Sequence, residues 1–498
     1  MAESSMRKTL RKTPESDDDT TDRLSALPGC VLLRILSRFN TKEAAVTSVL
    51  SSRWRHLFLS KTSINLNFCM NGDASEVHRL FDLFIRFAIR VLGQRNKAPI
   101  RGIRLRVCHF VESFRLGFES LLMFIAAALS TYRILNIEVL VKMDKTTSPC
   151  CVTFPPGMFL SEALDGLRLD LSVGWNVPEF VLFSNLKDLH LLSFRLVDEY
   201  SVQRLLQGCP SLDSLVLNMG SLNESEEGVE VQALRRVESE FNVFVESDSL
   251  ETLLLSLDGW HKVTLDSPNM KFLLISGNVL SLHIIQSFFS IEDVVIETKF
   301  PFHVQDDDGL FSRAQHASNF FTELQDVRSL SLSEDFMEAL YFCPPVISTF
   351  NNLKELKLNC QYYGIDEVLL NLFENSPNLE VLVFRQVFVM YLGEDYEFGS
   401  ILKQTFPLSF VERLKVIEMN NFKDGEQEFK LIEYLLKNEK SLEKIALGRD
   451  GWKSVPNHYN RILSFKKYSK DCNIEFRKRG NFVKSSQLRR ALNLVPWQ

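Results

Sequence analysis

The stretch Gly208–Leu217 reads GCPSLDSLVL; it returns as DSPNMKFLLI at 266–275 and as NSPNLEVLVF at 375–384. In each copy a proline precedes an apolar residue by two positions, and further apolar residues follow that one at +3 and +5. The last two, separated by one variable residue, show the two-residue period of a short strand with one face buried. Upstream pieces such as Ser201–Gln207 and Glu367–Glu374 carry apolar residues at helical spacing. The unit is therefore a helix, a proline-bearing turn and a strand.

Without the proline, the same spacing occurs thirteen times in order, beginning at Ile100, Ile134, Leu164, Leu186, Leu212, Leu250, Met270, Ile291, Val327, Leu353, Leu379, Leu414 and Leu442. Start-to-start distances run from 20 to 38 residues, with 26 appearing three times. This is an irregular leucine-rich-repeat pattern. Each unit leaves apolar surface on both flanks, which stacking buries, so the expectation is an α/β solenoid with a parallel sheet on its concave face. The residue between the last two apolar positions then faces the concave side. It is polar in the first four repeats (Arg104, Glu138, Arg168, His190) and apolar in the next four (Val216, Leu254, Leu274, Val295). A contiguous apolar patch on an exposed sheet marks a partner site, so these four are the expected substrate-binding residues. Two long gaps, 218–249 with six glutamates from Glu224 to Glu240 and 297–326 with Asp306 to Asp308, read as acidic insertions or degenerate repeats.

Ahead of the repeats, residues 22–59 read DRLSALPGCVLLRILSRFNTKEAAVTSVLSSRWRHLFL. Pro28 suits the first turn of a helix, and Leu32, Ile35, Leu36 and Phe39 behind it form one amphipathic stripe. Thr41 is the expected N-cap of a second helix carrying Ala45, Val49 and Leu50. Ser51 or Ser52 would cap a third with Trp54, Leu57 and Phe58. Three helices this short cannot bury all that apolar surface among themselves, so part of it should be covered by a partner.

This segment resembles the F-box, the module by which substrate receptors dock the Skp-type adaptor of cullin-based ubiquitin ligases. The resemblance implies adaptor contacts through Leu27, Pro28, Leu32, Ile35, Leu36, Val49, Trp54 and Leu57. The chain differs from the usual plant pattern at Gly29 and at Phe39-Asn40. Residues from about Phe406 to Arg479, including FPLSFVERLKVIEMNNF and FKLIEYLLKNEKSLEKIAL, resemble the FBD module that follows such repeats in a large plant family. The implied organisation is a disordered tail at 1–21, an F-box at 22–62, a solenoid at 63–405, an FBD module at 406–480 and a tail at 481–498.

Composition narrows the function classes. A formal net charge of −6 argues against general nucleic-acid binding. Nine cysteines with no C-x-x-C pair suggest reduced thiols in cytosol or nucleus, with neither a disulfide framework nor a zinc site. No secretory signal is recognisable, and the apolar run Leu121–Leu129 is too short to span a bilayer and reads as a buried helix. Phosphate-loop, zinc-helix and nucleophile-elbow motifs are lacking, and the nine histidines have no ligand spacing, so neither catalysis nor a cofactor is expected. Arg461 to Arg490 is basic with interleaved aromatics, a solvated final strand and tail. The resulting expectation is a non-catalytic specificity subunit that joins a Skp-type adaptor, and through it a cullin, to a protein substrate, with no membrane or nucleic-acid partner. The alternative is a ligase-independent interaction scaffold using the same solenoid.

Overall fold

A computed structural model of the protein describes residues 27–70, 72–94, 99–143, 150–175, 177–193, 200–219, 242–299, 307–345, 349–360, 365–387, 412–422, 425–438, 440–449, 456–469 and 471–478. The tails at 1–21 and 481–498 and the glutamates of the first gap lie outside them.

Three short helices open the chain: α1 (Gly29–Leu36), α2 (Thr41–Thr47) and α3 (Ser52–Leu59). Pro28 is the N-cap of α1, one position earlier than the spacing suggests, and its carbonyl accepts from the Val31 and Leu32 amides. The cap of α2 is Asn40, not Thr41. Its side chain accepts from the Glu43 amide at 2.9 Å, while the Glu43 carboxylate accepts from the Asn40 amide at 3.0 Å, a reciprocal capping box. Ser51 caps α3 by accepting from the Trp54 amide.

The rest is one parallel sheet with a layer of helices and loops behind it. Its strands are β1 (Ser63–Phe68), β2 (Gly102–Phe110), β3 (Asn136–Met143), β4 (Gly166–Leu171), β5 (Asp188–Leu192), β6 (Ser214–Asn218), β7 (Asn242–Glu246) and β8 (Thr252–Asp266). They continue as β9 (Phe272–Ile284), β10 (Asp293–Lys299), β11 (Ser329–Leu332), β12 (Glu355–Cys360), β13 (Val381–Val387), β14 (Val416–Met419), β15 (Lys444–Gly448) and β16 (Asn473–Arg477). Apart from β7, each strand pairs with the next in chain order. All thirty-nine apolar side chains of the thirteen repeats are buried, none above 4 % exposed, which makes a continuous core the length of the stack.

The stack is held along one edge by a backbone ladder. Along most of the stack the residue before a strand turns its carbonyl to the next repeat, where it accepts two amides: Lys354 O from Glu380 and Val381, Glu380 O from Lys415 and Val416, Lys415 O from Glu443 and Lys444. The Asn or Ser before the first apolar residue adds a side-chain rung, as from Asn185 to Glu162 O, Ser211 to Ser184 O, Asn269 to Asp248 O and Asn378 to Asn351 O. The residue after each repeat proline is therefore an inter-repeat staple.

The outer layer carries α4 (Ala74–Gly93), α5 (Arg115–Thr131), α6 (Ser201–Gln207), α7 (Asp307–Thr322), α8 (Glu334–Phe342), α9 (Ile365–Glu374), α10 (Glu426–Asn438) and α11 (Pro456–Ser464). The gap at 297–326 thus holds the helix α7. The apolar run in α5 is only half buried: Leu121, Leu122 and Ile125 face inward against α4 and its neighbours, whereas Met123 and Phe124 are exposed. Preceded by Glu112–Phe114, α5 is apolar and long enough to cross a bilayer on composition alone.

Not every unit has a helix. At the closely spaced starts Leu250, Met270 and Ile291, β8 and β9 shift register near Leu257–Lys262 and run on. Their second halves pair with each other, and β7 pairs with β8 through Asn242↔Lys262 to Glu246↔Asp266. Val243, Val245, Val263, Leu265 and Leu282 point into the core from this second layer. The reason is length: a strand advances about 3.3 Å per residue and a helix 1.5 Å, so only an extended segment completes so short a coil. Gly277, at φ +93°, permits the turn; a Cβ there would overlap the Leu257 carbonyl.

β1 is a further strand whose leading apolar position is filled by Lys61. That side chain is buried, and its ammonium donates to the Phe39 carbonyl of the α1–α2 turn. Beside it the Asn65 amide donates to Thr41 Oγ1 at 2.7 Å. Thr41, displaced from capping, therefore satisfies the open edge of β1, and the helical segment closes the end of the sheet.

One expectation from composition fails. Cys69, just past β1, and Cys108 in β2 form a disulfide with Cα atoms 4.7 Å apart. The register Asn67↔Arg106 and Phe68↔Val107 continues to this pair, which sequence spacing alone does not bring together.

Candidate functional site

Two surfaces have the character of partner sites. The first is on α1–α3. Of the eight residues expected to meet an adaptor, Leu32, Leu36 and Trp54 are buried in the interior of the segment and cannot form a contact surface; their role is to hold the helices together. Leu27, Ile35 and Leu57 are half-buried against the same core, and Arg53 clamps the entry by donating to the Leu27 carbonyl at 2.6 Å. Pro28 and Val49 are exposed. The largest apolar exposure lies at the end of α2, where Val46, Val49 and Leu50 are 66 %, 82 % and 68 % exposed on two successive tight turns. Val31 and Phe39 are also exposed. Val46 and Leu50 were legible as the outer side of α2, since Thr41 and Ala44 take the buried side.

The second surface is the concave face. Val216, Leu254, Leu274 and Val295 do line up there as paired neighbours, through Val216↔Leu254, Leu254↔Leu274 and Leu274↔Val295. They are not an exposed patch. With Leu192 they make a second apolar cluster, separate from the main core, and none of the five exceeds 4 % exposure. The expectation of an exposed apolar patch here is thereby corrected: the four are buried, and a β-branched or leucine column on a sheet also serves packing.

Charged networks flank the cluster. On the N-terminal side Arg104 pairs with Glu138, and buried Asp170 accepts from Lys142 Nζ at 2.6 Å and Ser193 Oγ at 3.0 Å. His190 borders the apolar cluster; burial and then Arg168 hold its imidazole down to about 4, so it is neutral near pH 7. On the C-terminal side Arg385 reaches Glu297 across two intervening strands at 2.6 Å, and Arg477 bridges Glu418 and Glu475. Hydrogen bonds from Arg477 and then Lys444 bring Glu475 to about 2. The basic C-terminal residues are thus partly engaged within the fold: Arg461 pairs with Glu426, and Lys467 donates to the Cys472 carbonyl.

The remaining chemistry candidates do not converge. Burial pushes the Cys150 thiol up to about 11 and Cys209 up to about 12, the opposite of activation. β9 and α7 bring the His283 and His316 rings to 4.4 Å. Among the described residues, no group of three or more His, Cys, Asp or Glu could hold a metal ion.

Residues 24–65 match the F-box domain and residues 185–210 match the Leucine Rich Repeat. The chain is 26 % identical over 440 residues to the F-box/FBD/LRR-repeat protein At1g78750 of Arabidopsis thaliana, covering 86 % of this chain and 90 % of that protein. It is 27 % identical over 469 residues to F-box/FBD/LRR-repeat protein At5g22660 of the same plant, covering 91 % and 96 %. To F-box/LRR-repeat protein 13 of Arabidopsis thaliana it is 25 % identical over 442 residues, covering 87 % and 90 %. With an F-box closing the first strand and a leucine-rich stack behind it, the chain is similar over most of its length to plant F-box/FBD/LRR-repeat proteins.

Proposed function

We propose that this protein is a non-catalytic substrate receptor of a cullin-type ubiquitin ligase, which binds a Skp-type adaptor through its F-box and a protein substrate through its repeats. The observation that carries the reading is the exposed apolar group Val46, Val49 and Leu50, presented by an F-box whose own core is already complete. Such surface, unburied within the chain, is stabilised by a partner that covers it. The sheet gives the substrate side a rigid support. Arg104, Arg106 and Lys142 are among its accessible polar groups, while the apolar cluster in the middle of the sheet packs internally. The chain's contribution is then to hold substrate lysines near a conjugating enzyme carried by another subunit, which is catalysis by proximity.

Co-expression of the full chain with a Skp-type adaptor and a cullin, followed by gel filtration, tests this reading. A co-eluting three-component assembly that is lost when residues 22–62 are deleted is expected. A full chain that elutes apart from both proteins would refute it.

A further inference from the structure

The Cys69–Cys108 bond follows from the repeat geometry. The two cysteines are 39 residues apart, which is also the offset between paired positions of β1 and β2, as in Ser63↔Gly102. They therefore stand opposite each other whenever these strands pair, with or without a bond between the sulfurs. Cys69 is exposed and open to small thiols, unlike buried Cys150, Cys209, Cys343 and Cys472. The bonded strand is also the one that carries the F-box, through Thr41 to Asn65 and Lys61 to Phe39.

We propose that Cys69 and Cys108 form a reversible redox-modification site whose reactant is a low-molecular-weight disulfide of the glutathione type, and whose oxidation fastens the F-box-bearing strand to the second repeat. In the forward direction the Cys69 thiolate attacks one sulfur of glutathione disulfide, giving a protein–glutathione mixed disulfide and one glutathione thiolate. The Cys108 thiolate then attacks the Cys69 sulfur and expels the second glutathione. Two protein thiols are oxidised, one glutathione disulfide is reduced to two glutathiones, and the two protons leave to solvent or to the departing thiolates. Exposure of Cys69 makes the bond accessible to the reverse reaction, in which two glutathiones restore the thiols.

The test uses the full chain equilibrated over a series of glutathione to glutathione-disulfide ratios, quenched with acid, alkylated and read by peptide mass spectrometry. Hydrogen exchange of the β1 and F-box peptides is measured in parallel. A single transition from alkylated to bonded Cys69 and Cys108 is expected, scaling with the square of glutathione over its disulfide, with severalfold slower exchange in β1 on the oxidised side. Cys69→Ser and Cys108→Ser should each make that exchange indifferent to the ratio. Thiols that stay reduced in pure glutathione disulfide, a bond that survives excess glutathione, or β1 exchange that is equal in both states would each overturn the proposal. None of these readouts involves an adaptor, so the proposed receptor function stands or falls separately.

Discussion

Replacing Thr41 with valine isolates the joint between the F-box and the solenoid. Thr41 is fully buried, and its Oγ1 accepts from the Asn65 amide on the edge of β1. Valine has nearly the same shape, so no cavity opens, but the amide loses its acceptor. A buried donor left unpaired costs about 1–3 kcal/mol. If the whole cost falls on local opening of β1, exchange at Asn65 should accelerate by about 5- to 150-fold. Thr41→Ser keeps the acceptor and loses only a methyl group, so it should stay close to wild type at that amide. The assay is hydrogen exchange of the peptide spanning β1 at several times, with a peptide from β12 as internal control. Wild-type exchange in the valine variant, or acceleration of equal size in the serine variant, would refute the edge-closing role of Thr41.

Three other perturbations probe separate features. Gly277→Ala should lower the urea midpoint by at least about 2 kcal/mol equivalent, because φ is +93° and the new Cβ meets the Leu257 carbonyl; an unchanged midpoint would contradict the bend in β9. Leu356→Ala, at a fully buried position of β12, should cost about 2–5 kcal/mol, seen as faster exchange in β11–β13 with α1–α3 unaffected; uniform acceleration along the chain would contradict nearest-neighbour stacking. His190 has a folded value of about 4 against an ordinary 6.5, so the unfolded chain takes up the proton first. Its share of stability is complete above pH 6.5 and declines as pH falls toward 4, by about 3 kcal/mol in all. His190→Gln should therefore lose less stability than wild type between pH 6.5 and 4 in parallel urea titrations, and identical losses would remove His190 as the cause.

The thirteen repeats were legible because a buried strand position tolerates little but an aliphatic or aromatic side chain. The pattern broke where another element supplied the environment. β1 escaped it because Lys61 occupies the leading position and is satisfied by an F-box carbonyl. β7 escaped because it carries a bare two-residue alternation, Val243 and Val245, behind a glutamate-rich stretch. The strand halves in the second layer show the same alternation at Val263 and Leu265, and the 20-residue spacing from Leu250 to Met270 already leaves little room for a helix. Site residues were harder to read. Apolar character marks Trp54 and Val49 alike, and only the three-dimensional packing separates the one that completes the F-box core from the one left outside. The concave column was placed correctly by strand periodicity, yet its burial as a separate apolar cluster is not encoded in that periodicity. Cys69 and Cys108 meet through register, which a spacing rule for adjacent cysteines does not sense.

The most direct test of the receptor reading is the affinity of the full chain for a purified Skp-type adaptor, compared with a variant carrying Val46→Ser, Val49→Ser and Leu50→Ser. Burying a valine or leucine fully is worth about 1.5–3 kcal/mol, and these three are each about two-thirds or more exposed. Their combined loss should weaken binding by about a hundredfold or more while leaving the unfolding midpoint in place. A wild-type chain that binds no adaptor, or a variant that binds within threefold of wild type, would contradict the assignment of this surface.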